Sequence, residues 1–261
     1  MPYLTRNGVK LHYEEAGSGD ETMLFVHGWT CDHSHFAPQV EHFAGRYRCV
    51  SVDLRGHGKS DAPAQTYTIH GFADDLAWMC AELGLTHPIV LGHSMGGLTA
   101  LILAAEHPGL VRAAVFVDAP LLLPADALAV RRPILETFWG ADYVDAAVAY
   151  ANDRFFIDTD DPQRRAHVLE GVAAMPRHVL ASAWQSILET DSLSAARALG
   201  ERGTPGLYIG AARPLADLEQ LRELCPQVII AQTAGSGHFC QLEVPDQVNA
   251  MIDRFLKVAV A

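Results

Sequence analysis

Ser94 stands in Gly92-His93-Ser94-Met95-Gly96, a G-x-S-x-G pattern that directly follows the apolar run 88–91 and opens the helix-forming stretch 95–108. A strand that turns sharply into a helix wants glycine on either side of the turning residue, where a Cβ would collide with backbone. Such a turn lifts the serine hydroxyl above the sheet edge, and the helix start aims free N–H groups and a positive dipole end at the same spot. A serine that only caps a helix does not need both glycines, so the pattern favours a nucleophile. A hydroxyl attacks well only when a positioned base takes its proton. Of the thirteen histidines, His238 is the candidate, because it lies in the loop Gly235-Ser236-Gly237-His238-Phe239 after the last strand-like run, and such loops carry chemistry. His27 and His93 flank turns and read as supports, whereas His12, His42 and His87 read as surface positions.

Short apolar runs that alternate with helical periodicity must position these groups. The first fifteen residues read as a β-hairpin about Asn7-Gly8. Strands are expected over 23–27, 48–54, 88–92, 111–118, 205–210 and 227–232, with helices over 35–45, 70–84, 95–108, 215–224 and 245–259. This rhythm predicts parallel βαβ units with helices on both faces of the sheet. It breaks over 121–203, where no comparable strand occurs and helical stretches run over 127–140, 143–156 and 178–189. The expected division is a core of 1–120 and 204–261 with a helical cap of 121–203.

The chain resembles the α/β-hydrolase fold family over nearly its whole length. The matching segments are His27-Gly28-Trp29 after a buried strand, Asp53-Leu54-Arg55-Gly56-His57-Gly58-Lys59-Ser60, the Ser94 turn and Gly235-Ser236-Gly237-His238-Phe239. The resemblance implies a mostly parallel eight-stranded sheet, a cap inserted after the sixth strand, His238 as base, and an oxyanion hole built from the N–H groups of Trp29 and Met95. It also exposes a departure. Most members carry their acid as G-x-x-D after the strand here read at 205–210, but Gly210-Ala211-Ala212 is followed by Arg213. The other position known in the family is the end of the preceding strand, where Asp118 stands. Asp118 is therefore the expected acid, with Asp217 and a Ser–His dyad as the alternatives. The implied activity is hydrolysis of a carboxylic ester or lactone, or of a C–C bond in a ring-fission product, through an acyl-enzyme. Trp29, His93, Phe138, Trp139 and Trp184 are expected to line an apolar substrate pocket under the cap. A cofactor-independent dioxygenase that cleaves a hydroxylated heteroaromatic is the alternative, suggested by Gly28-Trp29 with Asp32-His33 and by the acid at Asp118. A non-catalytic small-molecule receptor is a third reading.

Composition narrows the partners. Thirty-one acidic residues against nineteen basic ones give a formal net charge of −12, which disfavours a nucleic-acid partner. No run approaches the apolar length of a membrane span, the N-terminus has no secretory pattern, and five cysteines form no CxxC pair. A cytoplasmic monomer or dimer acting on a small molecule is expected, without cofactor. Gly58-Lys59-Ser60 is no phosphate-binding loop, since Asp53 replaces the glycine required five residues earlier. Cys31-Asp32-His33-Ser34-His35 offers ligand-type residues, but neighbours in so short a segment rarely converge on one ion, so no metal is expected.

Overall fold

A computed structural model describes residues 2–260. The chain opens with β1 (Tyr3–Arg6) and β2 (Val9–Ala16), joined at Asn7 and Gly8, whose φ values of 52° and 80° are those of a tight hairpin turn. There follow β3 (Thr22–Val26), α1 (Ala37–Phe43), β4 (Arg48–Val52), α2 (Ile69–Leu83), β5 (Ile89–His93), α3 (Met95–Glu106) and β6 (Ala113–Val117). Five helices come next: α4 (Ala125–Trp139), α5 (Tyr143–Arg154), α6 (Pro162–Ala174), α7 (Arg177–Glu189) and α8 (Ser192–Arg202). The chain returns to the sheet with β7 (Gly206–Gly210), α9 (Leu218–Leu224), β8 (Val228–Gln232), α10 (Cys240–Glu243) and α11 (Pro245–Phe255).

The eight strands lie in the order β1-β2-β4-β3-β5-β6-β7-β8, and every pair from β4 onward is parallel. Strands covered on both faces send alternate side chains into two cores. Leu24, Val26, Val50, Val52, Val90 and Phe116 pack with α2 and α3. Met23, Phe25, Ile89, Leu91, Val115 and Val117 pack on the other face with Phe43, Val248, Ile252 and Phe255 from α1 and α11. Among the described residues no helix is long and apolar enough to cross a membrane.

The segment 121–203 is helical, but its parts differ. α4 to α7 share a core with Trp29, whereas α8 packs against α3, and Arg202 donates to the carbonyls of Ala104 and Ala105. Two of these helices, α6 and α8, are absent from the sequence-based expectation. Each buries only two or three small or medium side chains, Val168 and Val172 in one, Ala195, Ala196 and Leu199 in the other, so neither carries the large apolar groups that mark the other helices of the segment.

His12 is not a surface residue. It is wholly buried, with Nδ1 2.8 Å from Asp53 Oδ2. The other Asp53 oxygen accepts from His33 N and lies 2.8 Å from His33 Nδ1, while Lys59 N donates to Oδ2. A Cβ on Gly58 would come within 2.4 Å of the Asp53 carboxyl, so that loop closes only with glycine. Burial alone would push the Asp53 carboxyl up; the His33 hydrogen bond and the other donors outweigh it and hold it at about 2, below its ordinary 3.8. A lowered acid adds stability above its unfolded value and loses it as pH falls toward the folded one. Asp53→Asn should cost about 2–4 kcal/mol in urea unfolding at neutral pH, since it removes the charge and turns an NH2 donor toward groups that themselves donate. The gap from wild type should close as pH falls from 3.8 to about 2.

Candidate active site

Strand register brings two of the expected residues to one rim. His93 pairs with Val117, and Val117 pairs with Ile209, so Ser94 and Asp118 each stand one residue beyond a paired strand end. Ser94 N donates to Val117 O, and Asp118 N to Ile209 O. Both residues take left-handed backbone angles, with φ of 52° and 42°, a strain that persists only where surrounding contacts impose it. At Ser94 those contacts are visible. A Cβ on Gly92 would meet Gly96 O at 2.2 Å, and one on Gly96 would meet Val26 O at 2.1 Å. Ser94 occupies the N-cap position of α3, yet its side chain makes no capping bond.

The Asp118 carboxylate reaches the imidazole: Oδ2 lies 2.7 Å from His238 Nδ1. Its Oδ1 accepts from Ala211 N and Leu215 N, so the loop after β7 closes around it. Asp217 is used elsewhere, as the N-cap of α9, accepting from Gln220 N at 3.0 Å. The His238 loop is braced on several sides. Its N–H donates to Phe155 O, its carbonyl lies 2.9 Å from His93 Nε2, and Gly237 N donates to Glu243. Burial drives the His93 pKa far down, which keeps the ring neutral, with Nε2–H donating to His238 O.

Ser94, Asp118 and His238 line one cavity of about 550 Å³. Among the described residues the Ser94 hydroxyl makes no hydrogen bond, the loose geometry common in a serine site without substrate. Neither Trp29 N nor Met95 N has an acceptor among the described residues. The Trp29 indole lines the cavity and is fixed by donation from Nε1 to Leu180 O at 2.9 Å, on α7. Trp184 also lines it.

Three expected lining residues lie elsewhere. Phe138 is wholly buried behind the wall, stacked on Trp29 at 5.5 Å. Trp139, one residue on and so about 100° round the helix, is 44% exposed on the outer surface. His93 is buried beneath the turn, its ring 4.6 Å from that of His238. In their place the wall contains Tyr150, Phe155, Ile187 and three arginines, Arg131, Arg154 and Arg213. Arg131 and Arg154 carried no signal in the sequence, because an α-helix does not announce which partner its polar face will meet. Asp32 caps the turn His33–Phe36, and His33 is held by Asp53; neither lines the cavity. Within 31–35 only His33 joins a group of ligand-type atoms close enough to share an ion, and its companions are His12 and Asp53.

The family is now evident. The alpha/beta hydrolase fold model matches residues 21–155, and the chain belongs to that family. A curated relative, the 2-(acetamidomethylene)succinate hydrolase of Mesorhizobium japonicum, is 38% identical over 120 residues, 46% of this chain and 43% of that protein. The chain therefore spans less than half the length of that relative. Two solved structures share the fold at 22% identity. The enol-lactonase from Burkholderia xenovorans LB400 has a TM-score of 0.85 and covers 98% of this chain and 100% of its own. A thermophilic esterase from Thermogutta terrifontis has a TM-score of 0.83 and covers 98% and 96%.

The acid that braces the His238 loop carries a pH dependence. Glu243 Oε2 accepts from Gly237 N at 2.7 Å, while Glu243 Oε1 and Asp160 Oδ1 are buried without hydrogen-bond partners among the described residues, Arg164 lying 3.8 Å from Asp160 Oδ1. Burial pushes the Glu243 carboxyl up, and Asp160 adds to it against the Gly237 hydrogen bond, giving about 7. The folded state thus holds a proton that the unfolded chain releases near 4.5, and stability is lost as pH rises from there through about 7. Glu243→Gln mimics the protonated acid and keeps an acceptor for Gly237. Its melting temperature should match wild type below the ordinary 4.5, exceed it increasingly up to about 7, and keep a constant lead above that. A gap independent of pH would show that no such proton is held.

Proposed function

We propose that the chain is a serine hydrolase that cleaves a carboxylic ester or lactone of a small molecule through an acyl-enzyme. The observation that carries this reading is the 2.7 Å contact between Asp118 and His238 on the wall that also holds Ser94. Ser94 Oγ attacks the carbonyl carbon as His238 Nε2 takes its proton. Asp118 keeps the proton on Nδ1, so that Nε2 is the free base, and it stabilises the imidazolium that forms. The N–H groups of Trp29 and Met95 receive the developing oxyanion, and the start of α3 adds its dipole. The imidazolium then protonates the leaving oxygen, which departs as an alcohol or, from a lactone, stays tethered as a hydroxyl. Water, deprotonated by His238, attacks the acyl-enzyme and restores Ser94.

Helices α4 to α7 act as the lid of this site, with α8 assigned to the core layer. Trp29, Trp184, Tyr150 and Phe155 supply apolar walls that exclude water and strengthen the electrostatic contacts inside. The curated relative named as a hydrolase supports the reaction class. For the alternative dioxygenase reading, Asp32 and His33 are bound in the turn and to Asp53, while Asp118 serves that reading as well as the hydrolase one.

Ser94→Ala should abolish both turnover of a short-chain aryl ester and covalent labelling by a fluorophosphonate. Asp118→Asn should lower kcat by roughly 10³-fold or more, since the amide fixes the wrong tautomer. Asp217→Asn should stay within about twofold, as a cap residue touches stability and not chemistry. A kcat loss at Asp217 comparable to that at Asp118 would overturn the assignment of the acid.

A further inference from the structure

Arg213 stands where the family usually places its acid, and the mechanism above leaves it without a task. Its position is not casual. Ala211 N and Leu215 N, on either side of it, both donate to Asp118 Oδ1, at 3.2 and 3.4 Å, and Ala212 N donates to Ser236 O at 3.2 Å. The loop that carries Arg213 is therefore wrapped around the carboxylate that orients His238. Moving the acid to β6 frees the tip of β7, and the side chain placed there is a cation on the wall of the cavity.

A second cation lines the same space. Arg131, on α4, is half-buried, donates to Ala127 O at 3.1 Å and sits within hydrogen-bonding reach of the Tyr150 phenol. Among the described residues neither Arg131 nor Arg213 has a carboxylate oxygen within 4.0 Å. The third arginine differs, because Arg154 is paired with Asp153 at 2.9 Å. In a chain with twelve more acidic than basic residues, two guanidinium groups left unpaired on one cavity wall are a feature to be explained. Arg131 is half-buried, and a partly desolvated cation is costly unless an anion meets it, whereas Arg213 is exposed at the rim of the cavity. Trp184 adds a buried Nε1–H without an acceptor on that wall.

Resting on the hydrolase reading, we propose that the substrate carries a carboxylate remote from the scissile carbonyl, and that Arg213 and Arg131 bind it. Planar guanidinium groups suit a carboxylate, which accepts two parallel hydrogen bonds from each. The lining acids Asp153 and Asp158 sit at the exposed mouth and disfavour a doubly charged phosphate more than a singly charged carboxylate. The ester or lactone cleaved is thus a half-ester or a lactone acid, and its acid product carries a second ionised group.

Two aryl esters of equal shape test this: 4-nitrophenyl hydrogen glutarate and its neutral methyl-capped counterpart. Wild type should favour the acid in kcat/KM by roughly tenfold or more, and the preference should shrink as salt is raised. Arg213→Gln and Arg131→Gln should each cut that ratio by about tenfold, with Arg213→Lys keeping part of it. Equal use of the two esters by wild type, or a ratio untouched in both variants, overturns the proposal. Calorimetric titration of glutarate into Ser94→Ala, with and without Arg131→Gln, reads the same site without turnover and covers an Arg213 variant that fails to fold. Glutarate binding that depends on Arg131, in a wild-type protein that a fluorophosphonate does not label, would keep the anion site and overturn only the hydrolase reading. Labelling of Ser94 with no glutarate binding would do the reverse.

Discussion

The site is organised around one carboxylate with both oxygens committed. Asp118 Oδ2 holds the His238 ring, and Oδ1 holds the loop after β7 through two backbone N–H groups. Asp118 can do this because β6 lies beside β7, whose following loop closes on Oδ1, and the loop after β8 brings His238 to the same rim. On its other side β6 pairs with β5, which ends at the Ser94 turn. A buried anion is tolerable only when hydrogen bonds replace lost water, and here a ring nitrogen and two amides do so. The left-handed backbone at Asp118, φ 42°, is the local cost of aiming the side chain along the sheet rim instead of into a core.

A second constraint is steric, and it acts on backbone. The Ser94 turn packs so closely that three glycines are forced. Gly92 and Gly96 touch carbonyl oxygens where a Cβ would go, and a Cβ on Gly28 would come within 2.9 Å of His93 Nδ1. That last approach sets the loop that carries Trp29 directly against the Ser94 turn. In the serine-hydrolase reading proposed above, such packing would keep the Trp29 and Met95 N–H groups preorganised for developing charge.

These constraints explain what could be read from the residues alone. Strand runs with no polar interruption, glycines flanking Ser94, and a missing acid at Arg213 are local features, each with a local physical cause. They suffice to bring Ser94, Asp118 and His238 to one rim and to foresee the sheet. The cavity wall is different in kind. Phe138 and Trp139 are adjacent and equally apolar, yet one is buried behind Trp29 and the other faces outward, because helix rotation and not residue type decides it. His12 reads as a surface position for a related reason: it alternates with Lys10 and Glu14 on one face of a hairpin strand, and looks exposed until Asp53, forty-one residues away, is folded onto it. Arg131 takes its meaning from Tyr150 and the cavity, neither of which is near it in sequence.

The helical segment is also coupled to the chemistry by its own backbone. Phe155 O accepts the His238 N–H, the Phe155 ring lies 4.8 Å from the imidazole, and Leu180 O accepts from Trp29 Nε1. One contact holds the His238 loop and the other the Trp29 indole, so a displacement of these helices would break hydrogen bonds at both residues. Arg131 lies on α4 and Arg213 on the β7 loop, so an anion held by both would bridge helical segment and core and favour closure through its own binding energy.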